Sequence, residues 1–118
     1  MPSDPTPSDP RSWLCTTPQG LYCAPGDFHI DPAWQVKRAV VTHGHGDHAR
    51  AGHGATLATR ETIEIMKVRF GEELGAVQGL RYGETVRIGD VDVRLVPAGH
   101  ILGSAQIVLD WQGSRIVV

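Results

Sequence analysis

The sequence predicts an α/β protein in which short strands pack with at least one amphipathic helix. Apolar and polar residues alternate through Val86–Leu95 on either side of a Gly-Asp turn, which is typical of strands with one buried face. Apolar residues at helical spacing precede this region. With 118 residues, 41% of them hydrophobic and 20% charged, the chain has the size and composition of one small globular domain or of part of one.

The N-terminal region divides at Trp13. Residues 1–12 contain four prolines among Ser, Asp and Thr, and we expect a disordered leader there. The composition of residues 13–118 suits a folded domain. Within it, Leu21–Cys23 and Phe28–Ile30 are strand-like runs on either side of a turn that contains Pro and Gly, so the sequence predicts a hairpin.

The middle of the chain predicts a buried strand and then a helix. The β-branched run Ala39–Thr42 stops at a histidine cluster, as a buried strand does where it delivers a loop to a site. Thr59 is a candidate N-cap for an amphipathic helix over Arg60–Leu74. The apolar residues that share one face of this helix are Ile63, Met66, Phe70 and Leu74. We expect that face to belong to the core.

The C-terminal third predicts further hairpins. Apolar residues alternate through Val86–Leu95 on either side of a Gly-Asp turn, and the runs Ile107–Trp111 and Arg115–Val118 flank another turn. The final run is still apolar where the sequence stops, and we therefore expect the chain to be a fragment.

The composition gives indications about the cellular compartment of the protein and about its binding partners. A net charge of −2 gives no bulk attraction to a polyanion, so contact with nucleic acid would need a local basic patch. The sequence has neither the roughly 20 apolar residues of a membrane helix nor a secretory signal, which predicts a cytoplasmic protein without a membrane partner. Cys15 and Cys23 could face each other across a hairpin, but a reducing cytosol favours two buried free thiols.

The strongest chemical signal is the run His43-Gly44-His45-Gly46-Asp47-His48. Side chains alternate in an extended segment, so His43 and His45 point the same way, about 7 Å apart. The glycines let the loop turn tightly and bring Asp47 and His48 back toward them. Imidazole nitrogens with a carboxylate oxygen, and no thiolate, suit Zn²⁺ or Mn²⁺ in a catalytic site with open coordination positions.

The other histidines carry weaker signals. His100 stands in a glycine-rich loop after a strand; alone it is equally compatible with a surface position, but beside the first cluster it is better interpreted as a further ligand. His29 alternates with apolar strand residues, and His53 lies in a Gly-rich loop. We expect these two to be structural or solvent-exposed, and Asp27 to be a turn residue.

Several of these segments resemble one family. The run His43–His48 resembles the His-x-His-x-Asp-His signature of the metallo-β-lactamase superfamily, and Phe28–Pro32 resembles its first strand, which ends in aspartate. Gly99–Ser104 is similar to the third motif of the β-CASP nucleases, which act on nucleic acids. Leu14–Cys23 resembles bacterial ligase-associated DNA exonucleases. The likeness extends from Trp13 to Val118 and covers only the N-terminal part of such a protein.

The resemblance implies a fold and a ligand set. The fold would be the N-terminal half of an αββα sandwich, and the cofactors would be two zinc ions, with manganese as the alternative. One metal would be held by His43, His45 and His100. The second site would begin with Asp47 and His48. Asp31 would hold the loop of the histidine run in place, because a carboxylate there can accept hydrogen bonds from loop amides or from a ligand imidazole.

The resemblance also implies an activity. It predicts a metal-dependent phosphodiester hydrolase, specifically a DNA exonuclease of DNA repair or ligation, that uses a water activated by two metals and oriented by Asp47. Its substrate would be nucleic acid, DNA in preference to RNA, and its partners an ATP-dependent DNA ligase and a helicase. Two alternatives stay open: a hydrolase of the same fold that acts on a small thioester, lactone or β-lactam, and a non-catalytic truncated product.

The sequence departs from the family in two respects. Gly46 stands where family members often have a small hydroxyl residue or alanine. The bridging aspartate expected just after a strand such as Arg115–Val118 is missing, as are the later histidine and the β-CASP insertion. We therefore expect the 118-residue chain by itself to be inactive and marginally stable.

Overall fold

The computed structural model describes residues 4–44, 49–99 and 102–118, and its strands form two sheets packed face to face. The strands of the first sheet, in chain order and in spatial order, are β1 (Leu14–Thr17), β2 (Gly20–Cys23), β3 (Phe28–Ile30), β4 (Arg38–Val40), β5 (Ala55–Thr59) and β6 (Val77–Leu80). Those of the second sheet are β7 (Thr85–Ile88), β8 (Val91–Pro97), β9 (Ala105–Trp111) and β10 (Ser114–Val117).

The first sheet is mixed. Strands β1, β2 and β3 pair antiparallel, and β3, β4, β5 and β6 then pair parallel. Because the carboxyl ends of parallel strands lie at one edge of a sheet, the segments that follow β3 and β4 emerge side by side. Those segments begin with Asp31 and with Val41-Thr42-His43, so the strand order positions the candidate site.

The main core lies between the two sheets. Its alternating residues come from the inner face of each sheet, as expected for two sheets packed face to face. The fully or nearly fully buried members are Trp13, Cys23, Phe28, Ile30, Val40, Leu57, Leu80, Val91, Val93, Leu95, Ala105, Ile107, Leu109 and Trp111. The rings of Trp13 and Trp111 approach to 5.4 Å between centroids, which joins the start of the folded region to the second sheet.

A helix covers the opposite face of the first sheet. Helix α2 (Arg60–Phe70) begins after Thr59, whose side chain accepts a hydrogen bond from the backbone N–H of Thr62. The predicted apolar face is confirmed, since Ile63 and Met66 are buried against the sheet. The α-helix ends four residues earlier than predicted, because Gly71 has φ +56° and a 3-10 turn over Gly71–Leu74 follows.

The predicted hairpins are confirmed. Strands β2 and β3 pair across a turn in which Asp27 has φ +55°, as expected of a turn residue, and β7 with β8 and β9 with β10 pair in the predicted order. Three strands are additional to those predicted, namely β1, β5 and β6. Helix, first sheet and second sheet thus form three layers of an αββα sandwich within the described residues.

The segment before Trp13 carries local structure where its composition predicts a disordered leader. Asp9 caps a short helix, α1 (Pro10–Trp13), through a hydrogen bond from the Arg11 amide, and the Ser12 hydroxyl donates to the Asp9 carbonyl at 2.6 Å. Proline at the first helical position suits this start, because its fixed φ is already helical.

Both cysteines are free, as predicted, although Cys15 is only half-buried. The strand register pairs Cys15 with Tyr22 and Cys23 with Leu14, so the two thiols are not directly opposite each other. Burial raises the pKa of the Cys23 thiol to about 11, which keeps it protonated. Across the described ranges, every helix is too short or too polar to cross a lipid bilayer.

Candidate metal centre

The structure describes two of the six residues predicted for the site, Asp31 and His43. The other four, His45, Asp47, His48 and His100, lie outside the described residues. Among the residues that are described, no group of three or more His, Cys, Asp or Glu side chains could hold a metal ion. What the structure does show is how the flanks of both predicted motifs are held.

Asp31 anchors the segment that leads into the histidine run. Its backbone has φ +45°, a left-handed conformation that aspartate tolerates better than most residues, and its N–H donates to the carbonyl of Val40 at 3.0 Å. One carboxylate oxygen accepts from the Thr42 amide at 2.8 Å, and the other accepts from the Thr42 hydroxyl at 2.6 Å. Asp31 thus binds both polar hydrogens of the residue that precedes His43.

Thr42 also joins the two sheets. Its carbonyl accepts a hydrogen bond from the backbone N–H of Ala105, the first residue of β9, at 2.8 Å. Ala105 follows the Gly99–Ser104 segment directly, and Thr42 precedes His43 directly. One backbone hydrogen bond therefore brings the start of the histidine run next to the end of the His100 segment, although the two belong to different sheets.

Helix α2 fixes the next residue of the run. Gly44 is buried, and a Cβ atom there would lie 2.9 Å from Cγ2 of Ile65, so only glycine fits without movement of the helix side chain. The guanidinium of Arg69 donates to the Gly44 carbonyl at 2.8 Å. The helix therefore positions the start of the loop by close packing and by a charge-assisted hydrogen bond.

The N-terminus of the same helix holds the His100 segment. The carbonyl of Gly103 accepts from the Thr59 hydroxyl at 2.7 Å and from the Thr62 hydroxyl at 3.1 Å. Gly103 has φ +79°, and a Cβ atom there would lie 2.8 Å from the Thr62 amide nitrogen, so the close approach requires glycine. Thr59 is thus both the cap of α2 and an anchor for the third motif.

Tyr82 secures the end of that segment. Its hydroxyl donates to the carbonyl of Ser104 at 2.8 Å, and Ser104 itself is buried. Burial raises the pKa of Tyr82, and the nearby carboxylate of Glu61 raises it further. The phenol therefore stays protonated and remains a donor at neutral pH.

The two remaining described histidines lie away from these anchors. His29 is half-buried and faces the opposite side of β3 from Phe28 and Ile30, as predicted, with its ring 4.8 Å from that of Tyr22. His53 is buried, not exposed, and its Nδ1 accepts from the Val36 amide at 3.1 Å. Burial lowers the pKa of His53, with a further lowering by His29, so the neutral ring is favoured.

The sequence does not predict the threonine and arginine anchors. It indicates Thr42 only as a strand residue and Thr59 only as a helix cap, and it carries no signal for Arg69. The one sequence feature that distinguishes Thr42 is its position directly before the histidine run. No local sequence pattern predicts its contacts with Asp31 and Ala105.

The sequence has relatives among curated proteins. It is 34% identical over 99 residues to a protein of Opitutus terrae named as a probable DNA ligase, across 83% of this chain and 10% of that protein. It is 32% identical over 115 residues to a ribonuclease of Thermus thermophilus, across 76% of this chain and 26% of that protein. The chain thus spans about a tenth and about a quarter of these relatives. No protein-family model matches it.

Solved structures share the architecture. A B3 metallo-β-lactamase with an active-site glutamic acid superposes with a TM-score of 0.55 at 20% identity, over 88% of this chain and 53% of that one. A HARLDQ-motif mutant of a metallo-β-lactamase from Cronobacter sakazakii gives a TM-score of 0.56 at 19% identity, with the same two coverages. The chain therefore has the metallo-β-lactamase fold, and the fold predicted from the sequence is confirmed.

Proposed function

We propose that this chain forms the metal-binding part of a phosphodiester hydrolase that degrades DNA from an end during DNA repair or ligation. The observation that carries the proposal is the Thr42–Ala105 hydrogen bond, which joins the flank of the histidine run to the flank of the Gly99–Ser104 segment, and that segment resembles a nuclease motif. The names of the two curated relatives, a probable DNA ligase and a ribonuclease, support nucleic acid as the substrate.

The donor chemistry of the two motifs fits a pair of divalent cations. His43, His45 and His100 would hold one ion, and Asp47 and His48 would begin the site of the other, with zinc preferred over manganese for this nitrogen-rich set. Bound there, the ions would supply a water that is nucleophilic at neutral pH and would neutralise charge on the phosphodiester.

The protein's own contribution is orientation. Asp31 holds the backbone and hydroxyl of Thr42, and Arg69 holds the carbonyl of Gly44, so the residues on both sides of His43 are fixed by charge-assisted hydrogen bonds. From the helix side, the hydroxyl groups of Thr59 and Thr62 hold the Gly103 carbonyl through neutral hydrogen bonds. Such fixing lowers the cost of assembling ligands around an ion.

A panel of substrates tests the proposal. The full gene product that contains these 118 residues, purified with zinc and separately with manganese, is given end-labelled single-stranded and duplex DNA, labelled RNA, nitrocefin and a glutathione thioester. We expect metal-dependent shortening of DNA from an end. We also expect Asp47→Asn to abolish it with little change in thermal unfolding, and His43→Ala to reduce bound metal measured by elemental analysis.

Arg87→Ala is the matched control, because Arg87 lies on β7, its side chain is exposed, and its guanidinium pairs with Asp92. It should leave activity and metal content unchanged. Turnover of nitrocefin or the thioester with all nucleic acids intact would replace the proposal by the small-substrate alternative that shares the fold. RNA cleaved in preference to DNA would retain the phosphodiester chemistry but reassign the substrate.

An ATP-dependent DNA ligase and a helicase are the partners proposed with this activity. The support is the resemblance of Leu14–Cys23 to ligase-associated exonucleases, together with the relative named as a probable DNA ligase. Copurification of such a ligase with the tagged protein from its native cells is the corresponding test, with Arg87→Ala protein as a second bait that should give the same result.

A further inference from the structure

A cleft beside the histidine run combines an exposed aromatic ring with positive charge. It has a volume of about 360 Å³, within the range of small-ligand sites, and it contains no acidic residue among those that line it. Its polar and aromatic lining comes from Trp34, Gln35, Arg50, Arg69 and Phe70. Ala49 also lines it and is joined by one peptide bond to His48, so the cleft adjoins the candidate metal centre.

Trp34 is the aromatic ring in this cleft, and 65% of its surface is exposed. Trp13 and Trp111, in contrast, are buried in the core between the sheets. An exposed tryptophan leaves a large apolar face in water, which is unfavourable unless a partner covers it at some stage.

The loop that carries Trp34 is held on both sides. The Ala33 amide donates to the Gln19 carbonyl at 2.7 Å, and the Val36 amide donates to His53 Nδ1 at 3.1 Å. The side-chain amide of Gln35 lies in the space that a Cβ atom on Gly52 would fill. The buried His53 therefore acts as a support for this loop, and the tryptophan is presented on a fixed backbone.

The arginines supply charge that is available to a ligand. Arg50 is exposed, and within the described ranges neither Arg50 nor Arg69 forms an ion pair. Arg69 is oriented by its bond to Gly44 and by contact with the Phe70 ring at 4.8 Å, which leaves other guanidinium N–H groups to donate. A second cleft, where the parallel strands begin, contains Arg38 and Arg87, but these pair with Asp27 and Asp92.

We propose that this cleft binds a nucleotide of single-stranded DNA next to the scissile position, with a base stacked on Trp34 and a phosphate on Arg50 and Arg69. The proposal rests on the proposed function and adds strand specificity to it. Stacking on an exposed ring requires an unpaired base, because the faces of bases in a duplex are already covered by their neighbours. Aromatic platforms beside positive charge are the usual means of binding single strands without sequence preference.

Tryptophan fluorescence of the protein, measured in chelator to prevent cleavage, tests the stacking. A single-stranded DNA oligonucleotide should quench Trp34, while an abasic oligonucleotide of equal length and charge should bind without quenching. Anisotropy of a labelled strand then gives affinities for the variants. We expect Trp34→Leu to weaken binding roughly 5- to 150-fold and Trp34→Phe to restore most of the affinity. Arg50→Ala should lower the slope of log affinity against log salt by about 0.7.

Measurements of nuclease activity distinguish a failure of this subsite from a failure of the proposed function. Trp34→Leu should raise KM for single-stranded DNA with little change in kcat, whereas Arg87→Ala should change neither. Intact exonuclease activity with no quenching and no effect of Trp34→Leu would overturn the subsite and leave the proposed function standing. Quenching by single-stranded DNA, with binding weakened in Trp34→Leu, in a protein without nuclease activity would overturn the proposed function and retain the subsite. Preference for RNA over DNA in the anisotropy assay would overturn the assignment to DNA.

Discussion

Removal of the Asp31 carboxylate should destabilise the protein and loosen the segment that enters the histidine run. The carboxylate accepts two hydrogen bonds from Thr42, at 2.8 and 2.6 Å. A hydrogen bond to a charged group contributes about 1.5–3 kcal/mol. Loss of both bonds in Asp31→Ala should therefore cost about 3–6 kcal/mol, and φ +45° adds about 1 kcal/mol because alanine avoids that conformation.

Asp31→Asn is the matched control. Asparagine tolerates the left-handed backbone, and its amide can accept from the Thr42 amide and donate to the Thr42 hydroxyl, so both contacts survive without the charge. We expect a loss of about 1 kcal/mol, by comparison of neutral with charge-assisted hydrogen bonds. Urea unfolding followed by circular dichroism measures both variants.

A double-mutant cycle with Thr42→Val assigns the effect to this pair. Valine has nearly the shape of threonine but removes the hydroxyl donor, so the coupling between Asp31→Ala and Thr42→Val should be about 1–2 kcal/mol. Bound zinc, measured in parallel, should fall more in Asp31→Ala than in Asp31→Asn. An unfolding free energy for Asp31→Ala within 1 kcal/mol of the unaltered protein, or additive single effects, would refute this reasoning.

Two further predictions follow from the described contacts. Thr59→Ala should lower the free energy of unfolding by about 1–2 kcal/mol in chemical denaturation, because it removes the cap of α2 and one hydrogen bond to Gly103, whereas Thr59→Ser should lose less than half of that. Burial lowers the pKa of both His53 and His29 below about 6.5. The unfolded chain therefore binds more protons than the folded protein just below about pH 6.5. The contribution of the two neutral histidines to stability is fully present above that pH and is lost as the pH falls toward their pKa values in the folded protein. His53→Gln should flatten the curve of melting temperature against pH between pH 7 and 5 and leave the part due to His29; an unchanged slope would contradict the assigned cause.

The elements that could be predicted from the sequence are those whose signal is local. Alternation through Val86–Leu95 and the helical spacing of Ile63 and Met66 report a buried face directly, because side-chain direction follows the repeat of the backbone. The short parallel strands β5 and β6 lack such a signal. Strand β5 is buried from Thr56 to Thr59, β6 contains Gly79 where the backbone of Arg60 approaches, and the pairing of both strands depends on partners distant in sequence.

The chemistry available to the site can be predicted from the residue types and their spacing: four ligand-type side chains in six positions, a histidine in a second glycine-rich segment, and an aspartate at a strand end. The residues that hold these segments are known only from the packing of the folded chain. Asp31 and Thr42 are 11 residues apart, and Thr59 meets Gly103 across 44 residues. Such contacts form because parallel strands end at one edge of the sheet, and because the Thr59 hydroxyl, which caps the helix by accepting from the Thr62 amide, can donate its own hydrogen to a neighbouring carbonyl. No local sequence pattern predicts these contacts, because they depend on the order of the strands in the sheet and on the packing of the two sheets.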